Sequence, residues 1–541
     1  MTTVATALIE LLAEAGVQYV FGVPSGPWVP YMEAMRTGPV EFVLVSNEAS
    51  AGFMADVCGR LTGRPGACYG TFGPGATNLS TGVGGALLDR SPLLAFTTEA
   101  PAAMAYRTLQ MAIDHQALFR PLTKWTTQAA PSHLHQTIRR AVQVATAEVP
   151  GPVHVGLPAD MGNQVVPSEV RTGAMPFGLP AAPPPVDQLA AVDALLRRAK
   201  RPLLVAGLSC TRLANGSAWQ QMVARHQLPV VLSPMAKGLL SETHPAYVGV
   251  LFHALSDLVA ETIQEADLVL AVGYDPVEFN VEEWLPDVPF VHVDTVPADV
   301  DVSVQLAAEV VGDLGTALQF LADQPPYEHT WDLEVIAVRR HRLFETLMAS
   351  SASLSPACVI GAIQDVLPPD EGYLTCDVGA HTHLIGQLWR TSRPGQLLMT
   401  NGWSSMGFGI PAAIAAKLCR PQHPVVCVTG DGGFLMMAGE MATAARLGLP
   451  VVVVVLVDRY IQLITVKQER QGAPQYGTQL YPPGYTSPDH YFGVPVVAAH
   501  DVDEVREAVA QGLRGSAPLV VEALVDPAAY DEVILRPHKL G

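Results

Sequence analysis

Residues Val451–Val457 are seven apolar residues in a row, six valines and a leucine, with no polar side chain facing either side. β-Branched side chains favour extended backbone, and a strand without polar alternation is buried on both faces, as in parallel sheets covered by helices. The run is far shorter than the roughly 18 to 20 residues a bilayer span requires. Similar apolar runs, closed by Gly, Pro, Asp or Ser, recur at 19–23, 42–45, 93–97 and 153–156, at 202–207, 229–233, 267–273 and Phe290–Asp294, and at 373–377, 425–429 and 519–523. Helical patterns lie between them, for example over 5–15 and 49–61. Strands alternating with helices predict doubly wound parallel sheets.

The runs fall into three groups. A Pro-, Gly- and Ala-rich stretch at 171–185 separates the first two, and a polar stretch at 323–331 the last two. With 541 residues, too many for one hydrophobic core, this predicts three α/β domains in series, at 1–165, 186–325 and 350–530. Hydrophobic residues at 49% and charged residues at 15% fit a well-buried globular chain. A net charge of −19 without a Lys/Arg cluster opposes nucleic-acid binding. The N-terminus has no basic leader, and the seven cysteines are scattered in apolar contexts. Both features lead us to expect a cytoplasmic protein with reduced thiols and no membrane association.

Thr429-Gly-Asp-Gly-Gly-Phe434 follows an apolar run and precedes a helical pattern. Glycines between a strand and a helix start let backbone N–H groups approach a phosphate, although alone this is as often a turn. Its companion is Asp458, directly after Val451–Val457 and 27 residues beyond Asp431. The two carboxylates then stand at the carboxyl ends of neighbouring strands, where open α/β sheets bind ligands. One or two carboxylates plus phosphate oxygens are what Mg²⁺ takes.

Gly430-Asp431-Gly432 with its distant carboxylate resembles the diphosphate–Mg²⁺ motif of thiamine diphosphate (ThDP) enzymes, and nearly the whole chain is similar to the acetolactate synthase-like family. The resemblance implies pyrimidine-binding, middle and diphosphate-binding domains. It implies Asp431, Asp458 and the carbonyl of Tyr460 as Mg²⁺ ligands, with Gly430, Gly432 and Gly433 at the diphosphate. The family usually has Asn where this chain has Asp458. Glu48 matches the glutamate that hydrogen-bonds the aminopyrimidine, so that the exocyclic amine can act as base at the thiazolium. Pro74 and Asn78, in Thr71-Phe-Gly-Pro-Gly-Ala-Thr-Asn78, match the loop against the pyrimidine. Met406, in Asn401-Gly-Trp-Ser-Ser-Met-Gly-Phe-Gly-Ile-Pro411 with Ser404, matches the apolar residue that bends the cofactor. Gln110 matches the active-site glutamine, while His115 and Gln116 are expected on the surface of the next helix.

Gly273-Tyr-Asp-Pro-Val-Glu278 and the later Val293-Asp294 resemble the middle domain of FAD-free catabolic acetolactate synthases, and Cys376-Asp-Val-Gly-Ala-His381 agrees, so no FAD is expected. The implied reaction joins two pyruvates to 2-acetolactate with loss of CO₂. Other 2-oxo acid decarboxylase, aldehyde carboligase or 2-hydroxyacyl-CoA lyase reactions stay open. A non-catalytic regulatory homologue is the reading from another class, disfavoured by Glu48, Met406, Asp431 and Asp458 together. Where the family has a lysine this chain reads Gly22-Val-Pro-Ser-Gly-Pro-Trp28, so Ser25, Gly26 and Trp28 become substrate candidates. His381, Gln462, Leu463 and Lys467 join them. The family's site lies between subunits, which implies at least a homodimer and suggests a homotetramer.

Overall fold

The computed structural model describes residues 2–104, 107–167, 174–179, 181–213, 216–278, 282–349 and 354–533; part of the expected linker at 171–185 lies outside them. Among the described residues nineteen strands form three sheets. The first holds β1 (Tyr19–Gly22), β2 (Glu41–Leu44), β3 (Gly66–Gly70), β4 (Leu93–Glu99), β5 (Trp125–Gln128) and β6 (Pro152–Pro158), in the order β2-β1-β3-β4-β6-β5. The second holds β7 (Pro202–Ala206), β8 (Val230–Leu232), β9 (Tyr247–Val250), β10 (Leu268–Val272), β11 (Phe290–Asp294) and β12 (Leu306–Val311), ordered β12-β11-β10-β7-β8-β9. The third holds β13 (Tyr373–Cys376), β14 (Leu397–Leu398), β15 (Val425–Gly430), β16 (Val451–Val457), β17 (His490–Tyr491), β18 (Val494–Ala499) and β19 (Leu519–Leu524), ordered β14-β13-β15-β16-β19-β18-β17. All pairings are parallel except β17 with β18.

This is the expected series of three parallel α/β sheets. Each sheet has a point where strands wound in opposite directions start side by side: between β1 and β3, β7 and β10, and β13 and β15. Such reversal points leave a crevice at the carboxyl ends of the strands, where ligands bind. β15 and β16 pair in register from Val425↔Val451 to Gly430↔Leu456, so Asp431 and Asp458 emerge side by side.

The domains share cores. One apolar cluster joins the helices Glu48–Thr62 and Gly409–Cys419, with Phe53 and Phe408 edge-on at 5.7 Å. Another joins the second and third sheets, where the buried Gln387 amide exchanges hydrogen bonds with the Val250 backbone. Arg90 pairs with Asp275 at 2.6 Å between the first and second domains. Among the described residues no helix is long and apolar enough to cross a membrane.

Candidate active site

Two groups of side chains form at strand ends. In the first sheet, β2 runs into Asn47, whose side-chain oxygen accepts from the Ala49 N–H at 2.8 Å and so starts the helix Glu48–Thr62. Glu48 is therefore the first helical residue and is buried, with Oε2 accepting from Asn78 Nδ2 at 3.0 Å. Asn78 belongs to the helix Pro74–Leu88, which follows β3 through a turn at Gly73 with φ +34°. A Cβ on Gly73 would come 2.5 Å from the Met111 carbonyl oxygen, so only glycine lets the Gln110–Met111 turn lie against the Pro74 loop. Gln110 and Pro74 are exposed there.

In the third sheet, Asp431 opens the helix Asp431–Met437 and is buried. Its Oδ1 accepts from Gly432 N at 2.9 Å and its Oδ2 from Arg459 N at 2.7 Å. Asp458 Oδ1 accepts from Tyr460 N at 3.0 Å. Burial pushes the Asp431 carboxyl up to about 7; burial and the Asp431 charge push Asp458 up to about 8. No ion pair to either carboxylate occurs among the described residues, so the pair calls for a cation. The end of Met406 reaches Gly432, where an added Cβ would be 3.1 Å from its methyl carbon. Ser404 holds φ +51° with its hydroxyl bonded to the Asn401 carbonyl at 2.7 Å. His381 lies beneath Gly430; its Nε2 is buried without a hydrogen-bond partner, and burial pushes the imidazole down to about 4. A neutral ring with one unused nitrogen beneath Gly430, together with the Asp431 and Asp458 carboxylates at the neighbouring strand ends, is a fit for a diphosphate–metal group.

Asp377 is a residue whose part was not legible in advance. It follows β13 and is fully buried, accepting from the N–H groups of Val378, Gly407 and Gly409 at 2.6, 2.8 and 3.2 Å and from Thr429 Oγ1 at 3.2 Å. It thus ties the Met406 turn to the Gly430–Gly433 loop. Its signal was the one that marked Asp458, an aspartate directly after an apolar strand. Glu440 is a second: its Oε1 accepts from Ser46 N at 2.9 Å and fastens the loop before Glu48 to the third domain.

Residues 377–523 match the family described as thiamine pyrophosphate enzyme, C-terminal TPP binding domain; 2–118 match the N-terminal TPP binding domain and 189–321 the central domain. The acetolactate synthase large subunit of Parasynechococcus marenigrum is 30% identical over 96% of this chain and 87% of its own length. The chain belongs to the acetolactate synthase-like thiamine pyrophosphate enzymes. The Bacillus subtilis acetolactate synthase is 29% identical over 99% of this chain and 95% of its own length. A probable 2-ketoarginine decarboxylase of Pseudomonas aeruginosa is 30% identical over 96% and 93%. As an acetolactate synthase-like enzyme the chain is a ThDP-dependent, carbon–carbon bond-forming catalyst with ThDP and Mg²⁺ as cofactors.

Other candidates are spread. Ser25 Oγ shares a hydrogen bond with Tyr69 OH at 2.6 Å, and Gly26 is exposed. Trp28 is buried, stacked on Tyr69 at 3.9 Å and Tyr31 at 4.7 Å, so its indole fills the core rather than facing a channel. Gln462, Leu463 and Lys467 lie on the helix Gln462–Arg470 just after Tyr460; Leu463 packs on the core and Lys467 is exposed. The expectation of a surface His115 and Gln116 is corrected. His115 is buried, with Nδ1 2.8 Å from Thr97 Oγ1, which lies 2.7 Å from His154 Nε2. Gln116 Nε2 donates to Glu99 Oε1 at 2.6 Å. The helix His115–Phe119 lies against β5 and β6, so its polar residues turn inward to threonine and carboxylate partners.

Proposed function

We propose that this enzyme decarboxylates a 2-oxo acid and joins the resulting two-carbon unit to a second carbonyl, with two pyruvates giving 2-acetolactate and CO₂ as the leading reaction. The domains 1–165, 186–325 and 350–530 then bind the pyrimidine, support the pair and bind the diphosphate. Bound ThDP supplies an electron sink for a carbanion next to a carbonyl. Asp431, Asp458 and the Tyr460 carbonyl hold Mg²⁺, and Gly430, Gly432, Gly433 and His381 surround the diphosphate. Met406 and Ser404 shape the turn that supports the cofactor's bend. Glu48, shielded from water beside Asn78 and Pro74, holds a proton against the pyrimidine nitrogen. Gln110 donates its amide to the substrate oxygen that gains charge during addition. Ser25, Gly26, Gln462 and Lys467 remain the substrate-side candidates.

The observation that supports the carboligase reading is the Gln110–Met111 turn, with Gln110 exposed, seated on the Gly73–Pro74 loop. Names among the relatives support it, since several are acetolactate synthases. A second reading, simple decarboxylation of a longer 2-oxo acid, is favoured by the decarboxylase relative and by Gly22–Trp28, which carries no cation.

We further propose that each site is completed by a second copy of the chain, in a homodimer or homotetramer. Among the described residues no hydrogen bond or ion pair joins Glu48 and Asn78 to Asp431 and Asp458. Apolar side chains are exposed beside both halves: Leu435 and Met436 next to Asp431, and Met111 and Ile113 next to Gln110.

Incubating the protein with ThDP, Mg²⁺ and pyruvate, with products followed by NMR, tests the reaction. Acetolactate with CO₂ is expected. Acetaldehyde as the main product overturns ligation in favour of decarboxylation, and no turnover of pyruvate overturns it as substrate.

A further inference from the structure

The helices Glu48–Thr62 and Gly409–Cys419 belong to different domains and end side by side. Near their carboxyl ends Cys58 and Cys419 place their sulfurs 3.1 Å apart, in thiol–thiol hydrogen-bond contact. Arg420 closes the junction from the third domain, donating to the carbonyls of Leu61 at 2.5 Å and Cys419 at 3.1 Å. Disulfide sulfurs are separated by about 2 Å, so bonding needs a closing movement of only about 1 Å.

We propose that Cys58 and Cys419 form an oxidation site in which a small peroxide converts the two thiols to a disulfide joining the first and third domains of one chain.

Three features argue for a reactive pair over two inert core thiols. Cys419 is half-buried while Cys58 is buried, so Cys419 is the more open residue to attack first and Cys58 the more covered one to resolve the product. The Cys58 hydrogen bond and the Arg420 charge lower the Cys419 thiol, though burial opposes them, and the thiolate is the attacking species. A cleft of about 20 Å³, lined by Gly16, Tyr19, Thr62, Pro65 and both cysteines, opens on the pair. That exceeds the roughly 10–15 Å³ a water molecule needs, which leaves room for hydrogen peroxide.

The chemistry closes on itself. The Cys419 thiolate attacks one peroxide oxygen, the O–O bond breaks, and hydroxide leaves to take up the thiol's proton as water. Cys419 is then a sulfenic acid. The Cys58 sulfur attacks the Cys419 sulfur, the S–O bond breaks, and the second oxygen departs as water with the Cys58 proton. Two thiols are oxidised by two electrons and one peroxide is reduced to two waters. The bond ties together two helices of which one begins at Glu48 and the other follows the Met406 turn.

The test treats the full chain with hydrogen peroxide, unfolds it, and counts alkylated cysteines with peptide mapping. Of the seven cysteines in the sequence, two are expected to be lost from alkylation, both in one cross-linked peptide pair holding Cys58 and Cys419, and dithiothreitol restores them. In Cys58→Ser, Cys419 is expected to trap dimedone as a sulfenic acid and no cross-link forms. Cys419→Ser is expected to keep all its thiols and serves if the first variant does not fold. Alkylation of all seven after treatment, or a cross-link between other cysteines, overturns the proposal. Equal reaction with glutathione disulfide overturns the assignment to a small peroxide.

Discussion

Single side chains decide the chemistry. Glu48 is buried and bonded to Asn78, so Glu48→Gln keeps a hydrogen-bonding group of the same size and the fold with it. Its loss as a proton holder is expected to lower kcat by about 100-fold or more, the usual span of general acid–base catalysis, while ThDP affinity and Tm stay close to the parent. Wild-type turnover by this variant removes Glu48 from the chemistry. His115 makes a different kind of prediction. Burial pushes its imidazole down to about 4 from 6.5, with Asp114 opposing, and His154 beside it is depressed as well. Glu99, the nearby carboxylate, is spent on the amides of Gln116 and Gln128. A depressed histidine stabilises the fold fully above its unfolded value and loses that contribution as pH falls from 6.5 toward 4, here by about 3 kcal/mol. Tm should therefore drop on acidification, and His115→Gln should make that drop shallower; identical acid limbs refute the assignment. The inward turn of His115 was not legible from sequence. A buried polar network forms only when distant segments meet, and nothing local distinguishes His115 from a solvated helix residue.

The elements themselves were more legible, for a physical reason. Val451–Val457 announces β16 because its apolar run is continuous, and the runs around 202–207 and 425–429 announce β7 and β15 likewise. β3, Gly66-Ala-Cys-Tyr-Gly70, is buried throughout yet escapes such reading, since glycine at both ends looks like turn chemistry. β5, Trp-Thr-Thr-Gln, is a polar edge strand held by its pairing with β6. The same elements carry the positioning of Glu48. The helices Glu48–Thr62 and Pro74–Leu88 cross at Gly52 and Gly82, where a Cβ on Gly82 would lie 2.5 Å from Gly52 Cα and 2.7 Å from the Ala49 carbonyl oxygen. Alanine is favoured over glycine inside a helix by about 1 kcal/mol, but forcing backbone apart typically costs about 1–3 kcal/mol. The clash wins because both obstacles are main-chain atoms. Gly82→Ala is expected to lower stability in denaturant titration and to weaken ThDP binding by displacing Ala49 and Glu48 from Asn78. A neutral or stabilised variant with unchanged ThDP affinity rejects the close crossing.

At the scale of the molecule, the three domains are bound by shared cores, yet among the described residues the side chains of the two halves of the proposed site make no direct hydrogen bond or ion pair to each other. Asp431 and Asp458 meet because β15 and β16 are neighbours, and Glu48 meets Asn78 because two helices cross. Within one chain the helices that Glu48 and Asp431 open do touch, Ser50 Oγ donating to Met437 Sδ at 3.1 Å, but among the described residues no hydrogen bond or ion pair joins the two pairs themselves, and the sequence resemblance is what raised the between-subunit arrangement. A dimer in which Glu48 of one copy serves Asp431 of the other has a measurable consequence. Glu48→Gln and Asp431→Asn chains should each be nearly inactive alone. In a mixed dimer one site carries both lesions and the other carries neither. Random reassociation makes about half of all dimers mixed, with one intact site each, so about a quarter of wild-type activity should return on mixing. A site confined to one chain predicts no recovery at any mixing ratio. Dilution separates the same alternatives: activity of the wild-type chain should fall with subunit concentration in parallel with dimer dissociation followed by sedimentation, because a lone subunit leaves Leu435 and Met436, 45% and 55% exposed, without the copy that completes the site.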